Sequence, residues 1–182
     1  MTSTIRPLLR RAALLAGAGM LAGCAASVQR GSNEARIDVP PASARKVVLA
    51  VSGKPEFAQQ AGWGYLVEEW QNSMQWAANN AGIAYAWQAP AARAATEPAT
   101  LVHVKVKDFR FVSTAKRWVT GIFSGNAFID AEASFTDLAT GRNLGTRSFQ
   151  SSSSVMQGVF SAMTERQLEV ISTEIVRDVT QR

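Results

Sequence analysis

The pattern that most restricts this chain is a strict two-residue alternation, in which Ile129, Ala131, Ala133 and Phe135 are apolar while Asp130, Glu132, Ser134 and Thr136 are polar. Successive side chains of an extended strand point to opposite faces, so the pattern specifies one buried face and one wet one. The stretch from Leu101 to Val112 does the same, with Val102, Val104 and Val106 set against His103, Lys105 and Lys107. At Asp108 the parity flips and Phe109 and Phe111 become the large residues, which calls for a bulge or for cover on both faces. Asp137-Leu138-Ala139-Thr140-Gly141-Arg142 is a Gly-containing turn into a third strand, Asn143 to Ser151, so the last two strands form a hairpin.

The remaining periodic segments supply two helices and two short strands. Lys46 to Val51 is an apolar, β-branched run closed by Ser52-Gly53-Lys54-Pro55, a buried strand followed by a turn. From Gly62 to Ala81, Trp63, Leu66, Val67, Trp70, Met74 and Ala77 or Ala78 form one stripe of an amphipathic helix that stops near Gly82. Ile83 to Trp87 is a short strand, and Ala89 to Pro98 is a loop. Thr164-Glu165-Arg166-Gln167 has the spacing of a capping box, with the apolar stripe Leu168, Ile171, Ile175 and Val179 behind it. The order strand-helix-strand-strand-strand-strand-helix specifies an α+β domain, a mostly antiparallel sheet with two helices packed on one face.

The amino end carries an address rather than a fold. Arg6, Arg10 and Arg11 precede an apolar stretch from Ala12 to Leu21, too short to span a bilayer comfortably, and small residues lead to Cys24. Leu21-Ala22-Gly23-Cys24 resembles the lipobox of bacterial lipoproteins. The resemblance implies a signal peptide over 1–23, removed in processing, and a mature chain acylated on Cys24. Each buried methylene of an acyl chain adds about 0.8 kcal/mol, so two or three chains make a durable anchor. Residues 24–45, rich in Ser, Ala, Pro and charge, are expected to be a flexible tether, leaving 46–182 as a single domain. Ala25-Ala26-Ser27 lacks the Asp that retains familiar lipoproteins at the inner membrane, so the expected location is the outer membrane, periplasmic side.

From Lys105-Val106-Lys107-Asp108-Phe109 through Gly125-Asn126-Ala127 to Asp137-Leu138-Ala139-Thr140-Gly141 and Gln157-Gly158, the chain resembles a family of uncharacterised bacterial lipoproteins with a domain of unknown function. Its element order is also similar to the periplasmic domains of penicillin-binding-protein activators and of the curli secretion lipoprotein. That likeness implies a fold and no chemistry.

Composition narrows the function classes. The formal charge of +5 includes Arg6, Arg10 and Arg11 of the leader, so the mature chain is nearly balanced and no nucleic-acid partner is expected. Cys24 is the one cysteine, which excludes an intrachain disulfide and a Cys-based zinc site. His103 is the one histidine, read as an exposed or edge-strand residue. With no Gly-x-Ser-x-Gly elbow, a Ser-His device has little to build on. Asp130 and Glu132 share a strand face and could in principle offer a hard cation two carboxylates, but a solvated strand face is the better reading. Lys116-Arg117 and the Gly121–Gly125 stretch lack the spacing of a phosphate loop. No catalytic residue, cofactor or metal is expected.

One feature is left over from core building. Thr120-Gly121-Ile122-Phe123-Ser124-Gly125 and Gln157-Gly158-Val159-Phe160-Ser161-Ala162 echo each other in two connections between regular elements. Either these loops fold over the end of the sheet and finish the core, or they meet a partner, another copy or a membrane surface. On the second reading Trp118, Ile122, Phe123, Val159, Phe160 and Met163 are the candidate partner-binding residues, since exposed apolar patches mark contact surfaces. The expected function is a non-enzymatic envelope lipoprotein that binds a protein partner or associates with itself. The alternative is a small-ligand or glycan binder stacking its ligand on Tyr85, Trp87 or Trp118.

Overall fold

The hairpin specified by the alternation lies in the middle of a six-stranded sheet. A computed structural model describes residues 27–30, 35–92, 96–110, 128–152 and 163–181. The strands are β1 (Ser27–Arg30), β2 (Lys46–Ser52), β3 (Ala84–Trp87), β4 (Thr100–Arg110), β5 (Phe128–Asp137) and β6 (Arg142–Ser152), with helices α1 (Trp63–Ala81) and α2 (Met163–Thr180). Their order across the sheet is β1-β6-β5-β4-β2-β3. The β1–β6, β6–β5 and β5–β4 pairs are antiparallel, while β2 runs parallel to both β3 and β4.

The alternation decides which face is core. Val102, Val104 and Val106 of β4, with Ile129, Ala131, Ala133 and Phe135 of β5, are buried in the same cluster as Leu66, Trp70 and Met74 of α1 and Leu168, Ile171 and Ile175 of α2. Both helices cover that face. The register slips between Val106 and Asp108, so Lys107 is absorbed in a bulge and Phe109 returns to the core side. The inverted parity in the sequence is this bulge. Helix α1 ends where Gly82 takes a left-handed φ of 69°, a conformation glycine adopts without a Cβ penalty.

Three expectations change. The segment expected to be a flexible tether is largely built into the domain. Ser27–Arg30 pairs with β6, Ile37 and Val39 are buried, and the Ser43 hydroxyl donates to the Asp137 carboxylate at 2.6 Å. A free sheet edge and an uncovered patch of core were available to it, and local composition does not reveal either. The capping box does not form as read, because α2 already begins at Met163 and Gln167 is fully buried, its amide atoms without a hydrogen-bond partner among the described residues. His103 lies on an interior strand, since β2 and β3 pair beyond β4 and leave β3 as the edge.

Candidate functional site

The described strands gather several chain ends at one end of the sheet. Phe128, which opens β5, is the Cα partner of both Arg110, which closes β4, and Ser152, which closes β6. The connections 111–127 and 153–162 therefore leave from neighbouring positions. Ser152 is in turn the partner of Ser27, so β1 enters at this end too. β2 runs parallel to β4 but stops short of this end, with Ser52 level with Lys105, and the turn after it continues toward it, where Phe57 meets Phe109. The helices begin on the same side, where the Tyr65 hydroxyl donates to Glu165 Oε1 at 2.6 Å across their first turns.

An aromatic cluster supports this end from inside. Phe109, aimed inward by the bulge, meets Phe57 edge-on at 5.1 Å between centroids, and Trp63 lies 5.7 Å from each of them. Such pairs add roughly 0.5–1.5 kcal/mol beyond the area they bury. Gly53 is the closest approach of backbone to the cluster, because a Cβ there would sit 2.6 Å from Trp63 and 2.7 Å from Phe57. The sheet end that holds the connections is thus rigidly backed.

The helix-free face of the sheet is polar along β4 and β5 beyond His103, while toward the start of β4 it carries a small apolar cluster of Val48, Ala99 and Leu138 with Ala86 and Leu101. His103 Nε2 lies 2.8 Å from Ser52 Oγ, and Lys107 Nζ donates to Glu132 Oε2 at 2.8 Å. Burial and the neighbouring Lys105 cation lower the His103 pKa, so the ring is neutral at physiological pH. A hydroxyl beside a neutral imidazole is the first half of a nucleophile-base device. Among the described residues no carboxylate is hydrogen-bonded to the His103 ring, so the orienting third member is missing there. Glu132, paired with Lys107, holds that lysine's pKa up. Among the described residues no three His, Cys, Asp or Glu side chains converge as a metal site.

Of the residues singled out in the sequence, Cys24, Trp118, Ile122, Phe123, Val159 and Phe160 lie outside the described residues, and Met163 opens α2 with its side chain outside them. Tyr85 is a core residue. It sits beside Val47 on β3, half-buried, and desolvation of its hydroxyl pushes the pKa up to about 12. Only Trp87 of that pair is exposed, at 37%. At the other end of the sheet, Ala44, Arg45, Ala81, Gly82, Ile83 and Thr180 line a recess of about 340 Å³ with Arg45 as its single charged group.

One residue was missed. Trp76 is 52% exposed on the outer surface of α1, the most exposed large apolar side chain described. Its signal was available, because Trp76 falls off the stripe that runs through Leu66, Trp70 and Met74. A single exposed aromatic is ordinary on a protein surface, but Trp and Tyr are enriched where interfaces do form, which makes Trp76 a residue to test.

No family model and no curated protein matches the chain. Solved structures do. The chain is similar in fold to a PelC dodecamer from Paraburkholderia phytofirmans, at 9% identity and TM-score 0.52, covering 86% of this chain and 98% of that one. A protein of an uncharacterised family from Xanthomonas campestris is 16% identical at TM-score 0.44, covering 78% of this chain and 88% of that one. Among the described residues no helix is long and apolar enough to cross a membrane.

Proposed function

We propose that this chain is a bacterial envelope lipoprotein, held to the outer membrane by acylated Cys24, that acts without catalysis as an assembly factor by associating with copies of itself or with another envelope protein. The observation behind this proposal is that the stems of the two Gly-Phe-Ser connections are neighbours at one end of the sheet. Their stems, Arg110 with Phe128 and Ser152 with Met163, bracket one end of the sheet, and Phe128 is register partner to two of the other three. The sequence places Trp118, Ile122 and Phe123 in one connection and Val159 and Phe160 in the other. Apolar side chains gathered at one end of a domain fit a protein contact better than they fit water. The fold shared with a PelC dodecamer supports association of copies, since that protein assembles on the same framework.

Crosslinking of the acylated protein in its own envelope, followed by recovery through an affinity tag, tests the reading. Wild type is expected to give discrete crosslinked species that Phe123→Asp and Phe160→Asp lose while remaining folded. A chain that stays uncrosslinked, or whose species persist undiminished in both variants, overturns it.

A further inference from the structure

We infer that the end of the sheet carrying Ser27, Arg110, Phe128 and Ser152 is held against the lipid headgroup layer, with the Asp137–Arg142 hairpin turned away from the membrane. The inference rests on the acylation of Cys24 proposed above. Its new element is the length of the leash. Ser27 is fixed in the sheet as the partner of Ser152, and Cys24 precedes it by three residues, so the anchor lies within roughly 11 Å of the sheet end even at full extension. A free coil of the expected tether's length would reach roughly 25 Å and let the domain tumble. Pairing of β1 removes that freedom.

The direction of β1 decides which end is held. Antiparallel pairing with β6 puts Ser27 beside the last residue of β6 and carries the chain away from the anchor as it proceeds to Arg30. The β5–β6 hairpin points the opposite way, because its turn joins Asp137 to Arg142, a full strand length from Phe128 and Ser152. At about 3.4 Å per residue that separation is roughly 30 Å. The anchored end exposes Lys54 and Arg110, but also Glu56 and Asp108, so its charge is mixed. The leash, and not attraction to anionic lipid, sets the orientation, and neutral lipid is enough to show it. The recess beside Arg45 and Thr180 then faces away from the membrane, and the stems of both Gly-Phe-Ser connections face toward it.

A depth measurement tests this. The full acylated chain carries a single fluorescent label at Arg110→Cys, at Lys54→Cys or at Ala139→Cys in the hairpin turn, Cys24 being blocked by its own acyl group. Each is reconstituted into phosphatidylcholine vesicles containing a headgroup nitroxide quencher. The expected result is loss of most of the fluorescence at Arg110→Cys and Lys54→Cys and none at Ala139→Cys. A flexible Gly-Ser linker inserted between Ala26 and Ser27 is expected to erase the contrast. The intact mass of each chain separates the two premises. An unmodified Cys24 overturns the anchoring and the orientation together, an acylated chain quenched equally at both ends overturns the orientation alone, and a contrast that survives the linker overturns the leash as its cause.

Discussion

His103 and Glu69 both ionise against the grain of the fold, and each yields a pH-dependent prediction. Burial and Lys105 hold His103 below its ordinary value of 6.5, so the unfolded chain binds its proton more readily than the folded one. Stability from this group is complete above 6.5 and is lost as the pH falls through the lowered value. His103→Gln, which keeps a hydrogen-bonding group near Ser52 without a titrating ring, should flatten the melting temperature between neutral and mildly acidic pH. An unchanged slope would show that the ring is freely solvated. Glu69 has the opposite sign, because burial and then the Glu165 charge raise its pKa. The folded state prefers the protonated form, so stability declines as the pH rises through the carboxylate range. Glu69→Gln is expected to raise the melting temperature at neutral pH, and the gain should vanish in acid.

At the scale of elements, local pattern was a good guide wherever one residue's neighbours in sequence are also its neighbours in space. The β5–β6 hairpin and the α1 stripe ending at Gly82 follow from spacing alone, while the parity flip at Asp108 left a bulge or double cover open and is the Val106–Asp108 bulge. What was not legible is non-local. Ser27–Arg30 has no alternation of its own and becomes a strand because β6 offers an edge. His103 becomes an interior residue only because β2 inserts beside β4. The candidate contact residues of 111–127 and 153–162 lie outside the described residues, and the closeness of the stems that carry them depends on which strands pair. Ile37 offers the direct test of the reassigned segment. It is 2% exposed and packs so closely on β6 that a Cβ on Gly145, already at a φ of 137°, would sit 2.9 Å from its Cδ1. Ile37→Ala should cost about 2–5 kcal/mol in chemical denaturation, as for a core aliphatic. A cost near zero would return 35–45 to the status of a tether.

As a whole molecule, the protein is a two-ended wedge of sheet and helices. One end collects the strand termini, the helix starts and the stems of the Gly-Phe-Ser connections, and the other holds the hairpin turn and the ends of both helices. Trp76 lies on the outer helix surface between them, 52% exposed. If copies associate side by side with their anchored ends aligned, the helix layer of one is available to its neighbour, and Trp76→Ala should weaken association without altering the melting temperature. Analytical ultracentrifugation at several concentrations checks this, and an unchanged association constant would remove Trp76 from the interface. Whether the lipid-anchored chain works by assembling is decided by multi-angle light scattering of the acylated protein in detergent, with the detergent mass subtracted. A discrete protein mass several times that of one chain is expected, reduced to a single chain by Phe123→Asp together with Phe160→Asp. A single-chain mass for wild type at every concentration, with no envelope protein crosslinked to it, would contradict assembly.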